Sequence, residues 1–301
     1  MPLASECKPA VLPLSGGQSG ATVRVHPILT GELHAPPAHT DRPTGRLAPL
    51  KIAGQLIGGR GRWQWLPIPA FLVEHPSAGA ILIDTGLHPS CVNGVSANMG
   101  QLNRFIYEAR MTGDQALREA LPARGVNPSQ VRIVIMTHLH VDHASAISEF
   151  PQATFIIDKR EWAAASRGGT RQGYYSPQFD HPFDWRCVDF EADPVASFAG
   201  FAQSFDLLGD GSIRLVSTPG HTRGHQSVVL RTGSRELLVM GDAAYTLREL
   251  HGEAHPVVAA DDHLRRRSLK EVRLYLEQSP EALAIPGHDV EFWPKLEPLY
   301  E

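Results

Sequence analysis

Thr137-His138-Leu139-His140-Val141-Asp142-His143 constrains this chain more than any other stretch. Three imidazoles and a carboxylate crowd into a short loop directly after an apolar run, residues 131–136, broken only by Arg132. A continuous apolar run of that length reads as a buried strand. The fold must therefore deliver these side chains together at the end of a core strand. Histidine is the commonest neutral metal ligand, and zinc takes nitrogen and oxygen donors. In a tight loop, His138 and His140 can face one ion while Asp142 and His143 face another.

Three further ligand types each follow an apolar run of their own: His221 in Ser217-Thr218-Pro219-Gly220-His221, Asp242 in Gly241-Asp242, and His288 in Gly287-His288. Alone, each reads as a turn histidine, a strand-ending acid or a surface histidine. Together they complete two metal shells. Cysteine takes no part: Cys7, Cys91 and Cys187 are far apart and odd in number, so neither a disulfide scaffold nor a cysteine zinc site is expected.

The remaining chain reads as strands and helices in two halves. Residues 1–22 are rich in Pro, Gly and Ser and read as a loose arm, leaving 23–301 as a single domain. Strands are expected at 23–29, 70–74, 80–84, 154–157, 213–217, 227–230, 237–240 and 283–286. Residues 34–49 and 168–184 read as loops. Helical spacing marks 103–121, 159–165 and 264–278. The basic cluster Arg265, Arg266, Arg267 and Lys270 reads as a solvated helix face. This mixture suits an α/β architecture of two packed sheets covered by helices.

Lys and Arg number 28 against 32 Asp and Glu, which argues against a nucleic-acid partner. No basic start with an apolar run marks a signal peptide, and no apolar stretch is long enough to span a membrane. A cytoplasmic enzyme without a membrane partner is the expectation. A homodimer clasped by the N-terminal arm is one oligomeric state the sequence allows.

The ordered set Asp84-Thr85-Gly86, His138 to His143, Pro219-Gly220-His221, Gly241-Asp242 and Gly287-His288 resembles the metallo-β-lactamase superfamily, over roughly residues 50–301. The resemblance implies an αβ/βα four-layer sandwich, with two mixed β-sheets flanked by helices and two divalent metals at one edge. Zinc is the first choice, with cobalt, iron or manganese as alternatives. It further implies that His138, His140 and His221 hold one ion, that Asp142, His143 and His288 hold the other, and that Asp242 bridges them. Asp84 and His225 would act behind these ligands.

Finer matches are similar to the N-acyl homoserine lactonases, the quorum-quenching branch. They are Thr222 after His221, Gly224-His225-Gln226-Ser227, and Tyr245 three residues after Asp242. Val141 stands where that branch often has an aromatic, and Ala144-Ser145-Ala146 replaces an expected glycine pair. The resemblance implies lactone ring opening by a hydroxide shared between the metals. Tyr245 would stabilise the oxyanion and Asp142 would move the proton. Phe105, Ile106, Tyr107 and Val141 are candidates for an acyl pocket. The alternatives are another lactone, or a thioester substrate as in glyoxalase II. Outside the enzymes, a metal-stabilised binding module without turnover is the competing reading.

Overall fold

The computed structural model describes residues 3–57, 59–192, 195–257 and 259–301. Its first sheet is built from β1 (Cys7–Pro9), β2 (Arg24–Ala35), β3 (Gln64–His75), β4 (Gly79–Ile83), β5 (Glu108–Arg110), β6 (Ile133–Ile135), β7 (Thr154–Asp158) and β8 (Asp184–Val188). Their spatial order is β1-β8-β7-β6-β4-β3-β2-β5. The second sheet holds β9 (Ala196–Phe198), β10 (Phe201–Asp206), β11 (Ile213–Ser217), β12 (Gln226–Arg231), β13 (Glu236–Gly241) and β14 (Leu283–Pro286), in the order β14-β13-β12-β11-β10-β9. The helices are α1 (Ala48–Ile57), α2 (Ser96–Met99), α3 (Leu117–Ala120), α4 (Lys159–Arg167), α5 (Leu247–Leu250) and α6 (Asp262–Gln278).

Side-chain alternation explains the layering. A strand presents successive residues to opposite faces. In β6, Ile133 and Ile135 join Phe71, Ile83, Leu215, Val228 and Val239 in a core between the sheets. Val134 turns outward into a second core with Leu121, Phe150, Phe155 and Trp185. On the other side, Leu238 and Met240 of β13 pack outward against Leu269, Val272 and Tyr275 of α6. Both faces of both central strands are buried, which is why they read as unbroken apolar runs. Helix, sheet, sheet and helix follow in that order: the four-layer sandwich.

The structure corrects several expectations. Cys7 and Cys187 form a disulfide, with Cα atoms 5.6 Å apart. The cysteines are 180 residues apart in sequence, so spacing gave no sign of the pair. The segment expected to be a loose arm carries β1, paired in parallel with β8. Its Leu12 and Leu14 pack against the core between the sheets. Residues 103–121 do not form one helix: they break into short turns, β5 and α3. Their apolar residues serve two different cores, with Ala109, Met111 and Ala116 in one and Leu117, Ala120 and Leu121 in another, which mimics helical spacing. The loop expected at 34–49 instead begins in β2 and ends in α1, and β8 starts at the last residue of the second expected loop. Arg265 does not lie on a solvated face; it is buried and pairs with Glu249 at 2.6 Å.

Asp210 locks the arm to the body. Its carboxylate accepts from Gln18 N at 2.8 Å, Ser212 N at 2.9 Å and Ser212 Oγ at 2.6 Å, and meets His75 Nε2 at 2.9 Å. Burial works against ionisation, but the Ser212, Gln18 and His75 donors outweigh it and hold the carboxyl at about 2. A lowered folded-state value means this contribution is present above the ordinary carboxylate range and lost as pH falls toward 2. Asp210→Asn is expected to cost about 2 kcal/mol at neutral pH. Urea unfolding checks this: the gap from wild type should narrow below about pH 4.

Candidate metal centre

The carboxyl ends of β4, β6, β11, β13 and β14 open at one edge of the sandwich. Thr137, just beyond β6, is fixed by Asp84, just beyond β4. Thr137 N and Oγ1 each donate to its carboxylate at 2.7 Å. Asp84 sits at φ 57°, a left-handed conformation that aspartate tolerates better than most residues. The adjacent Gly86, at φ 61°, lies so close to Thr30 that a Cβ there would fall 2.1 Å from Oγ1. The Asp-Thr-Gly turn is thus a tight brace under the histidine loop.

All seven residues assigned as metal ligands converge. His138, His140, His221 and Asp242 form one group and Asp142, His143 and His288 the other, with ligand atoms within 4.8 Å of one another in each. Asp242 stands between them. Its Oδ2 lies 3.2 Å from His221 Nε2 and 3.7 Å from His138 Nε2. Its Oδ1 lies 3.2 Å from both His143 Nε2 and His288 Nε2. Asp142 Oδ2 reaches the same pair at 3.7 and 3.5 Å.

The donors behind these rings fix which nitrogen faces the centre. His143 Nδ1 donates to Asp84 at 2.7 Å and His288 Nδ1 donates to the Pro67 carbonyl at 2.8 Å. With Nδ1 engaged in this way, each ring presents its Nε2 to the centre. His221 Nε2 lies 2.8 Å from His140 Nδ1 and 3.2 Å from His138 Nε2. Burial holds His138 and His221 well below the ordinary histidine value and His140 at about 4, so these three rings are neutral and free to offer a nitrogen to a cation. Burial also opposes charge on His143 and His288, but Asp242 and Asp142, joined at His143 by Asp84, pull both values up. Burial likewise disfavours the Asp242 anion, yet His288, His143 and His221 hold its carboxyl well below the ordinary range. Inward-facing ring nitrogens around buried carboxylates form a donor box suited to cations. The residues fit two divalent ions.

His225 is not part of the box. Its Nε2 accepts from Asp242 N at 3.0 Å, and its Nδ1 meets Thr218 Oγ1 at 2.9 Å. Tyr245 packs between the two halves, its ring 5.4 Å from that of His221 and 5.1 Å from that of His288. Burial and the nearby Asp242 charge keep its phenol protonated.

The centre opens into a cavity of about 1150 Å³. Ile106, Tyr107 and Val141 line it. Phe105 does not; it is 65% exposed, beneath the Arg104 guanidinium. Sequence reading missed three supports. Buried Glu161, at the start of α4, accepts from Leu139 N at 3.0 Å, Tyr174 Oη at 3.1 Å and Gly224 N at 3.3 Å, tying two ligand loops together. Arg265 lies over the Tyr245 ring at 5.4 Å, and its partner Glu249 accepts from Tyr245 N at 2.8 Å. His39 lines the cavity and bonds to Tyr107 Oη at 2.9 Å. Glu161 and Glu249 show in the sequence as acids in the first turn of a helix, and Arg265 as one of a basic cluster, and each of these has an ordinary explanation.

Residues 63–288 match the family model of the metallo-beta-lactamase superfamily. The chain is 33% identical over 242 residues to N-acyl homoserine lactonase AttM of Agrobacterium fabrum, covering 78% of this chain and 86% of that one. It is 28% identical over 231 residues to N-acyl homoserine lactonase AiiA of Bacillus thuringiensis, covering 75% and 82%. Among solved structures, a variant of B. thuringiensis AiiA with N-decanoyl-L-homoserine at its active site superposes with a TM-score of 0.74 at 22% identity, over 92% of this chain and 97% of that one. The dizinc lactonase AidC superposes at 0.58 and 17% identity, over 93% and 91%.

Proposed function

Because the chain belongs to the metallo-beta-lactamase superfamily, in its N-acyl homoserine lactonase branch, we propose that it opens the lactone ring of N-acyl homoserine lactones on a dinuclear metal centre. The observation that carries this reading is Asp242, whose two oxygens each face one half of a seven-residue donor box. His138, His140 and His221 would hold one ion, Asp142, His143 and His288 the other, with Asp242 shared. Nitrogen and oxygen donors suit zinc first, though cobalt, iron and manganese meet the same set. When bound, two such ions supply an activated water and draw charge from the scissile carbonyl.

The protein's own side chains do the rest. The Tyr245 phenol, held protonated between His221 and His288, donates to the carbonyl oxygen as charge develops there. A water oxygen bonds to the carbonyl carbon, the ring C–O bond breaks, and one proton passes to the ring oxygen. Asp142 carries that proton: it is the centre's most exposed carboxylate, at 17%, and still reaches His143 and His288. Ile106, Tyr107 and Val141 receive the acyl chain. Residues 23–301 act as one unit, with the segment before them stapled on by Cys7–Cys187. No helix among the described residues is long and apolar enough to cross a membrane.

Acid release from an N-acyl homoserine lactone and from a thioester of the same acyl chain tests the substrate. Faster opening of the lactone supports the reading; exclusive thioester cleavage overturns it. Asp84 orients His143 and Thr137 at once, so Asp84→Asn is expected to weaken metal binding roughly ten- to a hundredfold. Competition with a fluorescent chelator measures this. Unchanged affinity would show that the Asp84 brace is dispensable.

A further inference from the structure

The cavity has two unlike walls. On the side of β2 and β3 it is lined by Leu33, Leu66, Ile68 and, nearby, Ile106. This side adjoins His288, whose Nδ1 bonds to Pro67 of β3. On the side of His140 and His221 it is lined by Arg167, Arg171 and Arg223. Arg167 ends α4, Arg171 lies in the turn Thr170–Gln172, and Arg223 follows two residues after His221. The first two belong to a segment pinned to the metal loop: Val141 N donates to Gly173 O at 3.0 Å, and His140 bridges to Tyr174.

These three guanidinium groups make no ion pair or side-chain hydrogen bond among the described residues. Arg160, which also lines the cavity, is different: Asp158 and Ser217 satisfy it. Arg223 is felt by Asp261 only at a distance. Exposed arginines on a convex surface are ordinary, but three unpaired ones along a concave wall concentrate positive potential where a ligand enters. A guanidinium fork matches a carboxylate better than it matches water or a single carbonyl.

We propose that this wall selects lactones whose acyl tail ends in an anionic group, a carboxylate being the simplest case. The methylenes lie along the apolar wall, and the tail end turns to Arg167, Arg171 and Arg223. The inference rests on the lactonase reading above and narrows its substrate class.

Two homoserine lactones of equal acyl length, one ending in a methyl and one in a carboxylate, test it on the metal-loaded chain. The expected ratio of kcat/KM favours the carboxylate about tenfold or more at low ionic strength, the scale of one charge-assisted hydrogen bond. The ratio should shrink as salt rises, because exposed charges are screened. It should fall toward or below one in R167Q/R171Q/R223Q. If that variant loses metal or melts early, the salt dependence of the wild-type ratio decides. Preference for the methyl-ended lactone, insensitive to salt, overturns the inference and leaves the lactonase reading standing. Opening of neither substrate removes both.

Discussion

Asp242→Ala is expected to lower lactone opening by about a thousandfold or more, a rise of roughly 4 kcal/mol in barrier. The expectation follows from position. Asp242 Oδ1 lies 3.2 Å from His143 and His288, and Oδ2 lies 3.2 Å from His221. No other carboxylate in the centre touches both halves: Asp142 reaches only His143 and His288. Alanine also leaves five imidazoles crowded around a vacated buried space, without the anion that raises the His143 and His288 values. Metal content should therefore fall together with turnover. Elemental analysis and acid release on the same sample separate the outcomes. A variant that retains both ions and near-wild-type turnover would remove the bridging role.

Tyr245→Phe is expected to lower kcat by roughly a hundredfold while metal content stays at the wild-type level, the usual cost of losing one oxyanion donor. The phenol is well placed for this narrow effect. Its ring is clamped by Arg265 above and by the imidazoles of His221 and His288 at its edges, so phenylalanine fills the same space. Asp242 and burial keep the hydroxyl protonated, so wild-type activity should show no loss from phenol ionisation through mildly alkaline pH. An unchanged kcat, or an equal loss of metal, would instead make Tyr245 a packing residue.

The residues proposed as ligands stood out in the sequence because chemistry and local structure coincide at each. His138, His221, Asp242 and His288 all stand just past strands whose two faces are buried, so apolar runs announced them. Asp84 was legible for the same reason at β4. The supports were not, because they act across long sequence separations. Glu161 reads as a helix-start acid until Leu139 and Gly224 are folded against it. Arg265 reads as a solvated cation until Glu249 buries beside it. Cys7 and Cys187 meet only once β1 pairs with β8. Of the residues proposed for an acyl pocket, Ile106, Tyr107 and Val141 line the cavity. Phe105 was drawn in by an expected helix that does not form, and it faces solvent instead.

Zinc titration of metal-stripped protein, followed by acid release from an N-acyl homoserine lactone, tests the dinuclear centre most directly. Activity is predicted to rise steeply only as the second equivalent per chain is bound, one ion for each half of the box around Asp242. Full activity at one equivalent, or no ring opening with two ions bound, would contradict it.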